Sequence, residues 1–92
     1  MKRIKDEQAQ ERMNITGAGI RRARQQAGLT QTQLSARLET MAVYICRGSL
    51  SRIENGSRIV TDIELKAIAD ALRLPVESLF QEFSADGSNR TL

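Results

Sequence analysis

Apolar residues recur along this chain at spacings of three and four, and nowhere do they strictly alternate with polar ones. That is the period of helices buried along one face. Ile20, Ala23 and Ala27 make one stripe, Leu34, Leu38 and Met41 a second, Leu50 and Ile53 a third. Leu65, Ile68, Ala69 and Leu72 make a fourth, and Leu79 and Phe80, with Phe83, a fifth. Capping chemistry frames the stripes. "TQTQ" at Thr30–Gln33 and "TDIE" at Thr61–Glu64 pair a hydroxyl with an amide or carboxylate three residues on, which satisfies the free N–H groups of a helix start. Pro75 suits the first turn of a further helix, and Gly28 and Gly56 stand where left-handed residues end one. The pattern predicts helices over about 15–27, 31–41, 47–55, 62–72 and 76–82, and no strands. Helices so short are marginal alone and must be held by packing on one another.

One stretch breaks the pattern. Met41–Cys46 is a run of six consecutive apolar residues, followed at once by the polar "RGSLSRIENGSR". The first reading is that the run seals the back of the third helix onto the core. The alternative is that Met41, Val43 and Tyr44 form an exposed patch for a protein partner, since clustered exposed apolar groups mark interfaces.

Composition bounds the rest. Ninety-two residues, 40% hydrophobic and 27% charged, suit one small domain. We expect a polar leader over 1–13, the domain over 14–83 and a polar tail over 84–92. The net charge is +3, but residues 1–37 carry eight basic groups against three acidic, so the positive charge lies toward the N-terminal half. A polyanionic partner fits that balance. The single cysteine, Cys46, with no histidine, offers neither an internal disulfide nor a zinc site, and points to a reducing, cytoplasmic setting. Apolar runs are too short for a membrane span. Without histidine, paired cysteines or a phosphate-cradling glycine motif the chain reads as a non-enzyme with no cofactor and no metal. Cys46 itself reads as a small buried hydrophobe in preference to a redox sensor. Aromatics make up 3% of the chain, too few for base-stacking platforms.

The third predicted helix carries the candidate chemistry. On a helical wheel Leu50 and Ile53, with Cys46 near them, face inward. Gly48, Ser51, Arg52 and Asn55 then point outward, with Arg47 and Ser49 on the flanks. Arginine pairs bidentately with a guanine edge, serine donates or accepts, and glycine admits close approach, so this face suits DNA. The wheel alone leaves open an ordinary polar surface.

The segments "LTQTQLSARL", "GSLSRIENGSR" and "ELKAIADALRLPVESLF", in this order and spacing, resemble the lambda-repressor-like helix-turn-helix family of the Cro/XRE type, over about residues 14–80. The resemblance implies an all-α, five-helix DNA-binding domain whose third helix enters the major groove, as a two-fold dimer on double-stranded DNA. It implies base contacts at Arg47, Gly48, Ser49, Ser51 and Arg52, with Gly48 standing where many relatives carry a base-reading side chain. It implies phosphate contacts at Gln31, Asn55, Ser57 and Arg58, and a structural ion pair between Arg24 and Glu54. The function implied is a sequence-specific transcriptional regulator, a repressor by first reading. The rival is a protein-interaction module, such as an antitoxin-like subunit with DNA binding secondary. For the dimer surface the fifth helix, with Leu79, Phe80 and Phe83, is the first candidate and the enlarged turn the second.

The chain also departs from the family. Leu38 to Leu50 is about five residues longer than the usual short turn. We expect the second helix to run on for about one extra turn and the chain to reverse near Ala42–Tyr44. Ile45 would plug the turn and Cys46 would take the usual cap position.

Overall fold

The computed structural model describes residues 12–80, among which there are four α-helices, one 3-10 helix and no strand. Residues 1–11 and 81–92, and with them Phe83, the tail and most of the expected leader, lie outside the described residues. The α-helices are α1 (Gly17–Gln26), α2 (Gln31–Thr40), α3 (Arg47–Glu54) and α4 (Asp62–Ala71), followed by the 3-10 helix Val76–Phe80.

The starts follow from the caps. At α2 the Thr30 hydroxyl accepts from Gln33 N (3.0 Å) while Gln33 Oε1 accepts from Thr30 N (2.8 Å). At α4 Thr61 and Glu64 make the same reciprocal pair, both at 3.1 Å. Helix α1 starts at Gly17, two residues after the expected Ile15; its N-cap residue, Thr16, makes no side-chain cap bond, and Asn14 Oδ1 accepts from Gly17 N (2.7 Å).

All four α-helices end alike. The residue after each C-cap lies in the left-handed region, at Gly28 (φ 74°), Ala42 (φ 64°), Gly56 (φ 84°) and Arg73 (φ 60°). Each helix is closed by a pair of reversed backbone bonds: at α2 these are Ala42 N to Glu39 O and Val43 N to Leu38 O, both 3.0 Å. Helix α2 therefore stops at Thr40 and the chain turns at Met41–Ala42, slightly earlier than expected. The fifth element is also a correction. Val76–Phe80, up to the last described residue, is a 3-10 helix and not the expected α-helix, opened by Ser78 N to Pro75 O (2.9 Å), an i to i+3 bond.

Ile20, Leu34, Leu38, Leu50, Ile53, Ile68 and Leu79 are fully buried and form the centre of one core. Helix α1 packs on α3 and the 3-10 helix, and α2 packs on α3 and α4. A Cβ at Gly19 would overlap the Leu79 carbonyl, so the 3-10 helix lies directly on the α1 backbone. Three residues placed inward by spacing are exposed: Ala27 and Met41, each in the reversal that ends its helix, and Cys46, whose thiol lies outside the core as the residue before α3. Within the apolar run only Ile45 is buried and Val43 half-buried, whereas Tyr44 is 74% exposed. The run as a whole is therefore not a core seal; Ile45 supplies that function, as expected of the plug.

Candidate nucleic-acid interface

Helix α3 is pinned from behind by Leu50 and Ile53, which frees its opposite side for polar groups. Arg47, Arg52 and Asn55 are exposed there, and Gly48, Ser49 and Ser51 are half-buried. These residues fall into two lines. Arg47, Ser51 and Asn55, four apart, border a cleft of about 520 Å³ shared with Gln31 and Thr32 of α2 and Arg21 of α1. Ser49 and Arg52 form the other line, with Arg52 Nη2 donating to Ser49 Oγ at 3.4 Å. Beside them Gly48 leaves open space: a Cβ would meet only Arg52 Nη1, at 3.9 Å.

The cleft is braced by the ion pair. Arg24 Nε donates to Glu54 Oε2 (2.7 Å) and Nη2 to Glu54 Oε1 (3.0 Å), while Nη1 donates to Leu29 O (2.8 Å). Glu54 thereby holds the guanidinium more firmly protonated than usual. Gln31 Nε2 also donates to Glu54 Oε1 (3.0 Å), so three helices converge on one carboxylate. The side-chain amide of Gln31, expected at a phosphate, is engaged with this pair.

The other expected phosphate residues cluster beyond the end of α3. Asn55 Oδ1 accepts from Ser57 N (3.1 Å) and Ser57 Oγ (2.7 Å), a tight side-chain turn. Arg58 donates to both Glu64 oxygens, at 3.1 and 3.2 Å. Hydrogen bonding from Arg58 holds the Glu64 carboxyl below its ordinary range, and Glu64 raises Arg58 in turn. At the start of α3 the exposed Cys46 thiol lies 3.5 Å from Ser49 Oγ. Hydrogen bonding with that hydroxyl, then with the Ser49 backbone, draws its pKa below the ordinary value.

Three residues bearing on this surface escaped the sequence reading. Asn14 donates to Ile53 O (3.0 Å) and Arg58 O (2.8 Å), tying the end of α3 and the following loop to the start of α1. Arg21 and Thr32 border the cleft. Arg21 stands three residues before Arg24, a spacing that places it on the same side of α1. Asn14 stands three before Gly17, a cap signal.

Among the described residues no acidic, cysteine or histidine group could hold a metal ion, and no helix is long and apolar enough to cross a membrane. A family model described as helix-turn-helix matches residues 20–79. No curated protein and no solved structure matches the chain.

Proposed function

The chain belongs to the lambda-repressor-like helix-turn-helix family of the Cro/C1 type, a DNA-binding regulatory family, and from that premise we propose that it is a sequence-specific transcriptional repressor acting as a dimer. Helix α3 enters the major groove of double-stranded DNA. Arg52 and Ser49 read base edges from its outer line, assisted by Arg47 and Ser51, and Gly48 admits the duplex closely. Gln31, through its backbone N–H at the start of α2 while its side-chain amide stays on Glu54, and Asn55, Ser57 and Arg58 fix the backbone register at the two ends of the motif. The observation that carries this reading is the rigid mounting of a polar, arginine-bearing helix face: two fully buried aliphatic side chains behind it and the Arg24–Glu54–Gln31 cluster beside it. Preorganisation of that kind serves base discrimination, which depends on side chains held in fixed register.

Selection from a random duplex library tests the proposal. A short palindrome should be enriched, with half-site centres about 34–36 Å apart, one duplex turn. Arg52→Ala should weaken binding to it by about 1–3 kcal/mol and relax preference at one base pair per half-site. Equal loss on every sequence would move Arg52 to the phosphate contacts.

A second reading, a protein-interaction module with DNA binding secondary, is favoured by the surface between the enlarged turn and α4. There exposed Met41 and Ile63 flank a cavity of about 450 Å³. In a selection experiment that reading gives no enriched site.

A further inference from the structure

The apolar run at Met41–Cys46 divides into two sides with different neighbours. Met41 and Val43 turn toward α4, where they border one cavity with Ile63 and Lys66. Tyr44, Ile45 and Cys46 turn the other way and border a second cavity, of about 360 Å³, with Ser35 and Glu39 of α2 and Ser49 of α3. Ile45 is buried there, and Ser35 Oγ donates to its carbonyl at 2.7 Å, so the backbone beneath Tyr44 is fixed. The Tyr44 ring is 74% exposed and its hydroxyl has no hydrogen-bond partner among the described residues. A large aromatic thus stands three residues before α3, alongside Ser49, and Ser49 in turn touches Arg52.

We propose that the enlarged turn adds Tyr44 to the DNA-reading surface, where its ring packs on a base edge, a thymine methyl, just outside the base pairs met by Ser49 and Arg52. This rests on the reading of α3 as the groove-entering helix. The chemistry favours a base edge over the backbone. Glu39 borders the same cavity, and its carboxylate repels a phosphate placed there, while an apolar ring matches the C5-methyl group that only thymine presents in the major groove. The turn residues beyond the family pattern then have a use: they lengthen the stretch of sequence read, next to a helix whose second residue, Gly48, has no side chain to read with.

The test uses the full chain in duplex-library selection, comparing wild type, Tyr44→Ala, Tyr44→Phe and Arg52→Ala, with a thermal melt of each. Because the ring is exposed, Tyr44→Ala should melt with wild type. It should bind the selected site about five- to tenfold more weakly and lose preference for thymine at an outer position that Arg52→Ala leaves intact. Tyr44→Phe should keep that preference. An unchanged preference profile for Tyr44→Ala overturns the proposal, as does a profile unchanged but with a shallower salt slope, which would place Tyr44 on a phosphate. A loss in Tyr44→Phe equal to that in Tyr44→Ala also overturns it, by assigning the contact to the hydroxyl. If Arg52→Ala also leaves every preference intact, it is the reading of α3 that fails.

Discussion

The side chain of Glu54 is 3% exposed and that of its partner Arg24 11%, whereas Lys66 and Asp70 pair on α4 with 68% and 48% exposure. The contrast decides which ion pair matters. Two exposed groups gain little from meeting, because water already solvates both. Removing one member of a buried pair strands the other without solvent or counter-charge. Glu54→Ala should therefore destabilise the domain by about 3 kcal/mol in urea unfolding, and Lys66→Ala by less than about 0.5 kcal/mol. The Arg24–Glu54 pair was legible through the family resemblance. Its third member was not: Gln31 reads from sequence as a phosphate contact, and only the packing of α2 against α3 turns its amide toward Glu54. Cys46 shows the same limit. Its spacing from Leu50 suggests an inward thiol, but the residue before a helix does not follow the helical wheel.

Helix starts were written more plainly than helix ends. Thr30 and Thr61 are capping boxes by residue type alone, and both form. The four ends share one left-handed conformation, yet only Gly28 and Gly56 announce it; Ala42 and Arg73 adopt it with a Cβ present. The end of α2 is hidden for that reason: Met41 continues the apolar spacing, and nothing about alanine says that the chain reverses there. A Cβ in the left-handed region is strained, and the strain is greater than the backbone freedom glycine adds to the unfolded chain. Ala42→Gly should accordingly stabilise the domain by about 0.5–1 kcal/mol, read as a raised urea midpoint with unchanged slope. A lowered midpoint would mean that the turn carries no strain. At the 3-10 helix the sequence offers Leu79 two uses, on an inward stripe and on a dimer surface, and the core takes it. Leu79 is fully buried against α1, so the first candidate dimer surface cannot present it, and exposed Met41, Ile59 and Ile63 lie elsewhere.

For the whole molecule the charge count places the positive excess toward the N-terminus, but charge available to DNA depends on which cations are already paired. Arg58 is such a case, because both oxygens of Glu64 hold its guanidinium near the end of α3. Glu64 also closes the α4 capping box, a role that glutamine fills equally, so Glu64→Gln removes the charge while keeping the helix start. Two opposite consequences follow. In the native state Glu64 is depressed below its ordinary value of 4.5, so in the acid range the unfolded chain binds more protons there than the folded one. The pair's stabilisation is complete above about 4.5 and is lost as pH falls through the lowered native value; Glu64→Gln lacks this contribution, so its stability should decline less steeply in acid. Both groups are partly exposed, which limits the effect to about 1 kcal/mol or less. On DNA the same change spares Arg58 the loss of its ion pair as it turns to a phosphate, and removes a nearby negative charge. Glu64→Gln should bind non-specific duplex more tightly, and Arg58→Ala made in that background should lower the slope of log K against log salt by about one unit. Tighter binding with a flatter acid limb would mean that one carboxylate stabilises the fold by the contact with which it restrains the grip on DNA. A slope that Arg58→Ala leaves unchanged would mean that Arg58 meets no phosphate when the duplex binds.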